Sequence, residues 1–233
     1  MNSPLTLISS MATRHLLTAL ARAWSEGSST PVAIESVGGV DAARRVQEGE
    51  VFDLVVLAAD AMARLDEGGR LAQGSLVSLV DSSVAIAVRA GAVPPDVGSE
   101  AALRAALLQA RAIGYSTGPS GTALMRLFES WGLAETLKSR LVLARPGVPV
   151  GTLVASGEAE IGFQQFSELM DLPGITVLGG MPPGLEIVSR FSGAVATQAR
   201  QPDGARALLD FMASPAAGGL KQAHGMLPAL TGF

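Results

Sequence analysis

The chain has 233 residues, of which 48% are hydrophobic, so it is long enough for two modest lobes and apolar enough to bury a core. Lysine and arginine total 17 against 21 acidic residues, and the net charge of −4 without a basic run argues against a nucleic-acid partner. The absence of cysteine excludes disulfides and thiol chemistry, and two histidines argue against a histidine-based metal centre. We therefore expect neither a metal nor a cofactor.

The most apolar stretches, residues 54–59 and 84–88, are far shorter than a membrane-spanning helix. Charged or small polar residues bound each stretch, so both indicate buried strands and we expect no membrane insertion. The N-terminal residues show no lysine or arginine before the first apolar positions and no cleavage-type tripeptide after them. As the sequence stands we expect a cytoplasmic protein, or a periplasmic one if a leader was removed.

Short runs rich in Val, Ile and Leu alternate with helical patterns, which predicts an α/β fold with mixed, mostly parallel sheets. In chain order, the predicted strands are residues 5–8, 32–36, 54–58, 83–89, 112–115, 141–143, 161–163 and 187–196. The predicted helices are residues 12–24, 41–48, 61–65, 100–110, 121–131, 148–156, 202–213 and 215–224. Asp60 is the predicted N-cap of the third helix, and a Gly/Pro-rich segment, 173–183, precedes the last strand. The initial β-α-β-α-β order predicts parallel pairing.

Two points in the chain mark a change from one part of the pattern to another, near residues 81–83 and 189–193. Two crossings predict one lobe built from both chain ends, residues 1–82 and 190–233, and a second lobe inserted between them, residues 83–189. Such a pair of lobes favours a ligand cleft that closes by a hinge.

One local pattern recurs four times: a strand end, then glycine or small polar residues, then a helix start. The four loops are Ser9-Ser10, Ser36-Val37-Gly38-Gly39, residues 116–121 and residues 146–149. Each helix start presents unpaired backbone N–H groups and the positive end of a dipole, and serine hydroxyls add donors. Together these loops predict an anion site made of neutral donors. The alternative is that they are ordinary helix caps.

Three segments resemble the molybdate-binding proteins of ABC importers, which belong to the type II periplasmic binding protein superfamily: TLISSM at 6–11, VFDLVVLAAD at 51–60 and LVASGEAEIG at 153–162. The resemblance covers almost the whole chain, because residues 202–213 and 216–225 match the closing helices of that family. It implies a two-lobed type II fold and an oxyanion held by hydroxyls and backbone amides. It also implies the membrane subunit of an ABC importer as partner, and we expect a monomer.

Carried over by position, the resemblance implies ligand contacts at the loop residues. These are Ser9, Ser10, Gly38, Gly39, Ser116, Ser120, Val148, Val150, Gln164 and Gln165. The chain departs from the family pattern at Gly38 and Gly39, where the family has a serine-rich loop, and at Gln164 and Gln165, where a tyrosine commonly reaches the anion. The anion can therefore be a molybdate-like oxyanion or a small carboxylate.

A second hypothesis comes from residues 161–169, IGFQQFSEL, which resemble a subgroup labelled molybdate-binding by overall similarity. Some proteins with this fold, including aconitate isomerase and chorismate dehydratase, are cofactor-free enzymes that act on small carboxylates. An isomerase or lyase of an unsaturated polycarboxylate needs an acid–base group, for which His15 is the candidate, and Arg14 would pair with a carboxylate. The alternative for both is a solvated helix face. A third hypothesis is a cytoplasmic sensor whose closed form docks on a partner protein.

Overall fold

The computed structural model describes residues 3–28, 30–145 and 147–229. The chain divides into two compact units. Unit 1 comprises Met1–Asp81 and Arg190–Phe233, and unit 2 comprises Ser82–Ser189. The chain therefore passes between the units twice.

Strands and helices alternate along most of the chain. The strands are β1 (Leu5–Ser10), β2 (Val32–Val37), β3 (Leu54–Ala58), β4 (Val77–Arg89), β5 (Ile113–Tyr115), β6 (Leu141–Leu143), β7 (Ile161–Gln165), β8 (Ile175–Gly180), β9 (Val188–Val195) and β10 (Leu227–Pro228). The helices are α1 (Arg14–Gly27), α2 (Gly39–Gln47), α3 (Ala59–Glu67), α4 (Glu100–Gln109), α5 (Pro119–Ser130), α6 (Ala134–Leu137), α7 (Val150–Ser156), α8 (Phe166–Leu169), α9 (Pro202–Ala213) and α10 (Gly218–Ala223).

Unit 1 is built on a mixed sheet with the strand order β2-β1-β3-β9-β4, and β10 pairs with β4. Strand β1 pairs in parallel with both β2 and β3, which confirms the predicted parallel start, whereas β9 runs antiparallel to β3. Successive side chains of β3 point to opposite faces. Leu54 joins the core with α1 and α9, and Val55 joins the core with α2 and α3. Helices on both faces explain why every residue of β3 is buried.

Unit 2 repeats this layered plan with the strand order β8-β4-β7-β5-β6. Strand β5 is parallel to β6 and β7, and β4 is antiparallel to β7 and β8. Ile86 and Phe163 share one core with α4 and α5, while Val154 of α7 lies in a second core with Ala144 and Ala159. The carboxyl ends of β5 and β7 thus lead into the starts of α5 and α8.

The structure corrects the predicted elements in several places: it adds the short elements α6, α8 and β10, and it changes the interpretation of Asp60 and of the Gly/Pro-rich segment. Asp60 is not an N-cap, because α3 begins at Ala59, two residues before the predicted start and directly after β3, and its cap position is Ala58. Asp60 instead lies in the first helical turn, 3.4 Å from Arg64. The Gly/Pro-rich segment contains β8, which pairs with β4. No helix within the described ranges has the length and hydrophobicity of a membrane span.

Candidate ligand-binding site

In unit 1 the carboxyl ends of β1 and β2 lie side by side, because the two strands are parallel and Ser10 is level with Val37. Ser9 and Ser10, which were predicted to form a loop, are the last two residues of β1. We call Ser9, Ser10, Gly38 and Gly39 the first donor cluster. The hydroxyls of Ser9 and Ser36 lie 2.8 Å apart. The completely buried Ser9 side chain is therefore already hydrogen-bonded within the unit.

The Ser10 hydroxyl differs from the Ser9 hydroxyl in its hydrogen bonding. Ser10 is only 7% exposed, and its Oγ has no hydrogen-bond partner among the described residues. Ser10 occupies the N-cap position of a short 3₁₀ turn, Met11–Thr13, but its side chain makes no capping hydrogen bond. A buried hydroxyl without a partner loses its bonds to water without replacement, at a cost of about 1–3 kcal/mol. Its donor and acceptor capacity remains available to a ligand.

The start of α2 lies against Ser10. A Cβ atom placed on Gly39 would lie 3.6 Å from the Ser10 Cβ. The cap residue, Gly38, has no side chain to satisfy the first N–H groups of the helix, and these groups have no acceptor within it. The Ser10 hydroxyl and the positive end of α2 therefore present donors in the same place.

Unit 2 contains a second set of polar side chains, Ser116, Ser120, Gln165 and Ser189, which we call the second donor cluster. Ser120 Oγ lies 3.4 Å from Ser116 Oγ and donates to Gln165 Oε1 at 3.2 Å. Gln165 Nε2 in turn donates to Ser189 Oγ at 3.3 Å. Ser120, Gln165 and Ser189 are all buried. Unlike Ser10, these side chains satisfy one another.

The loop before α7 offers fewer donors than the sequence suggested. The N–H of Val150 donates to Gln164 Oε1 at 2.7 Å, and the N–H of Val148 donates to the Arg145 carbonyl at 2.9 Å. Gln164 Nε2 donates to Glu168 at 2.6 Å, so both ends of this amide are engaged. A ligand contact at Val148, Val150 or Gln164 would have to share or replace a hydrogen bond made inside unit 2.

Arg14 and His15 begin α1, a few residues after Ser10, and both side chains are exposed. Arg14 Nη2 and His15 Nε2 lie 3.2 Å apart. The structure therefore pairs the two candidate enzyme residues with each other at the start of α1.

Ser189 and Ser82 were not among the predicted ligand contacts, but both are buried serines close to the passages between the units. Ser189 belongs to the second donor cluster, although its position inside a predicted strand gave no local signal. Ser82 is completely buried, and its Oγ has no hydrogen-bond partner among the described residues. Ser82 follows the first passage of the chain between the units.

The charges near the two passages are neutralised within unit 1. Arg190 forms a two-point ion pair with Asp81, at 2.8 and 3.0 Å, and these hydrogen bonds raise the pKa of the Arg190 guanidinium. The residues are 109 positions apart, so no local pattern could have shown this pair. The described part of the chain contains no group of three or more acidic or histidine side chains that could hold a metal ion.

Comparisons with known proteins agree with this architecture. A profile of a bacterial extracellular solute-binding protein family matches residues 5–227. The aconitate isomerase of a Pseudomonas species is 37% identical over 187 residues, 79% of this chain and 70% of that protein. The molybdate-binding protein ModA of Azotobacter vinelandii is 26% identical over 185 residues, 78% of this chain and 73% of that protein.

The structure of the periplasmic molybdate-binding protein of Azotobacter vinelandii superposes with a TM-score of 0.82 at 18% identity, covering 97% of this chain and 99% of that one. This likeness confirms the predicted type II periplasmic binding protein fold. Since the profile spans nearly the whole sequence, the chain belongs to the bacterial extracellular solute-binding protein family.

Proposed function

We propose that the chain binds a small anion, either an oxyanion of the molybdate type or a small carboxylate, through its two donor clusters. The observation that carries the proposal is the Ser10 hydroxyl, which is buried, has no hydrogen-bond partner within the described ranges, and lies against the start of α2. Donors at the positive end of a helix favour an anionic ligand over a neutral one.

Two buried charged side chains of unit 1, Lys221 and Asp53, already have hydrogen-bond partners within the unit. This supports a ligand site made of neutral donors. Lys221 is buried, which lowers the pKa of its ammonium group, and its Nζ donates to the Leu79 carbonyl at 3.0 Å. Asp53 accepts hydrogen bonds at the opposite end of β1 from Ser10. Both groups make hydrogen bonds within unit 1, which supports a site whose contacts come from hydroxyls and backbone N–H groups.

Calorimetric titration and thermal shift against molybdate, tungstate, sulfate, citrate, cis-aconitate and trans-aconitate test the proposal. A ligand that binds the folded state raises its stability according to the ratio of ligand concentration to Kd. Ser10→Ala should weaken binding about tenfold or more, the value of a hydrogen bond to a charged group. Ser25→Ala is the matched control, because Ser25 lies near the other end of α1 and its hydroxyl donates to the Ala21 carbonyl at 2.9 Å. No binding to any of these anions, or equal affinity for Ser10→Ala and the wild type, would overturn the proposal.

A role in import follows from the same proposal. We propose that the chain acts outside the cytoplasm and delivers its anion to the membrane subunits of an ABC importer. The description of the matched family as extracellular and the likeness to molybdate-binding proteins support this role. Hinge closure on the ligand stays a prediction. Fractionation of cells that produce the natural protein checks the location, and recovery in the cytoplasm alone would contradict it.

A second candidate is isomerisation of a small unsaturated polycarboxylate, which the 37% identity with an aconitate isomerase favours. In such a reaction a base removes a proton from an allylic carbon, and the proton returns at the far carbon. His15 would move the proton and Arg14 would pair with a carboxylate. Incubation with trans-aconitate, followed by proton NMR, checks for the cis isomer. Turnover that is lost in His15→Ala supports the assignment, turnover that is unchanged in it removes His15, and no turnover rejects this candidate.

A further inference from the structure

The second donor cluster contains an amide, that of Gln165, which contacts the Ser116–Ser120 loop through the Ser120 hydroxyl. Gln165 is the last residue of β7, is 3% exposed, and has both ends of its amide hydrogen-bonded to serines. Ser120, its partner on α5, is also buried, whereas Ser116 is partly exposed at the end of β5. Gln165 is therefore placed to act on the loop through Ser120.

The number of hydroxyl hydrogens determines which of these groups can donate to a ligand. A serine hydroxyl has one hydrogen to donate and two lone pairs that accept. Ser120 donates its hydrogen to Gln165 Oε1, because a carbonyl oxygen can only accept. Ser120 must then accept the bond from Ser116. In this state neither hydroxyl has a hydrogen left for an anion.

Rotation of the Gln165 amide by half a turn reverses these roles without losing a bond. The NH₂ group would then donate to Ser120 Oγ, and Ser189 would donate to the amide oxygen. The Ser120 hydrogen would become available to the ligand or to Ser116. A carboxamide is suited to both states because its two ends have similar size and opposite hydrogen-bonding character.

We infer that Gln165 is a positioning residue whose amide orientation sets whether the Ser116–Ser120 pair donates to a ligand or accepts from it. The inference rests on the proposed function and deepens it, because it concerns which small anions the second donor cluster accepts. In the donating state the pair suits a fully ionised oxyanion such as molybdate. In the accepting state it suits an anion that carries its own hydroxyl, such as hydrogen phosphate.

The test compares Gln165→Glu with the wild type, using molybdate and hydrogen phosphate near pH 8.5. The introduced carboxylate can only accept hydrogen bonds when it is ionised. The Ser120 hydroxyl therefore always donates to it and cannot donate to the ligand. Both probes are dianions at this pH, so added charge and any general damage weaken both to a similar extent and cancel in the ratio of the two Kd values. We expect this ratio to shift at least tenfold in favour of hydrogen phosphate. For a wild type that prefers carboxylates, tricarballylate and citrate form the equivalent pair without and with a hydroxyl.

Gln165→Met provides the neutral comparison. Methionine has similar length but no hydrogen-bonding amide, so affinity for both probes should fall while their ratio stays within about twofold of the wild type. The loss should also disappear when Ser120 is already alanine, because Gln165 acts through that hydroxyl. An unchanged ratio in Gln165→Glu, or an additive loss in the double variant, overturns the inference alone. Failure of the wild type to bind any of the four probes overturns the inference, and failure to bind these and all the other anions titrated above overturns the proposed function as well.

Discussion

The two donor clusters arise from the same local pattern but differ in how their hydroxyls are used. In unit 1, the Ser10 hydroxyl is buried without a partner among the described residues. In unit 2, Ser120 and Gln165 are buried to a similar extent but bond to each other and to Ser189. A strand end, small polar residues and a helix start therefore do not determine whether a loop has donors to spare.

The difference has an energetic consequence for binding. A ligand at Ser10 gains a hydrogen bond without breaking one, whereas a ligand at Ser120 must compete with an existing bond whose net value is about 1 kcal/mol. We expect the first donor cluster to supply most of the affinity and the second to supply selectivity. Substitutions in each cluster separate these roles, and the largest effect is expected at Gly121.

Gly121→Ala should disrupt the second donor cluster most strongly. A Cβ atom at this position would lie 1.8 Å from the Ser116 carbonyl oxygen, so the loop and the start of α5 must move apart. Overpacking of this kind should lower the free energy of unfolding by about 3 kcal/mol. Urea denaturation followed by circular dichroism measures the change, and ligand titration measures the accompanying loss of affinity.

The matched control is Gly39→Ala in the first donor cluster. Its Cβ would meet only the Ser10 Cβ, at 3.6 Å, which is ordinary contact. The free energy of unfolding should stay constant or rise by up to about 1 kcal/mol, because alanine is favoured over glycine in a helix. Equal destabilisation by the two substitutions would show that the loops do not differ in packing.

A substitution at Asp53 tests whether the fold of unit 1 can be destabilised without altering the first donor cluster. Its buried carboxylate accepts hydrogen bonds from Thr6 N and Oγ1 and from the N–H groups of Arg200 and Gln201. Asp53→Asn places an NH₂ group against some of these donors, which should cost about 2–3 kcal/mol in unfolding free energy. Ligand affinity of the folded fraction should not change, since Ser10 lies at the other end of β1.

The same carboxylate predicts a dependence of stability on pH. Burial raises its pKa, but the hydrogen bonds from Thr6, Gln201 and Arg200 outweigh burial, so the pKa is lowered overall. The stabilisation is complete above the ordinary aspartate pKa of about 3.9 and is lost as the pH falls through the lowered value. Denaturation midpoints measured below pH 4 should fall less steeply for Asp53→Asn than for the wild type. If the midpoints fall equally steeply in both proteins, Asp53 is not the cause of the loss of stability at low pH.

The sequence was sufficient for the strands and helices that position both clusters, but not for the state of each hydroxyl. Runs of Val, Ile and Leu located β5 and most of β1, because that information is local, but β1 continues through Ser9 and Ser10, which were predicted to form a loop. The partner of Ser9 is 27 positions away and the partner of Ser120 is 45 positions away, so only the folded chain brings them together. Strand β8 was missed for a related reason: pairing with β4 overrides its glycine-rich composition.

The smallest expected effect is the difference in unfolding free energy between Ser120→Ala and Ser10→Ala in the absence of ligand. Ser120→Ala leaves the buried Gln165 Oε1 without its donor, so the free energy of unfolding should fall by about 1–2 kcal/mol. Ser10→Ala removes a buried hydroxyl that has no bond to lose, so stability should stay the same or rise by up to about 1 kcal/mol. For affinity the order should be reversed, with the larger loss in Ser10→Ala. Because a residue kept for folding and a residue kept for binding respond in opposite ways, denaturation and titration of these two variants separate the roles. Loss of stability in Ser10→Ala would mean that its hydroxyl supports the fold after all.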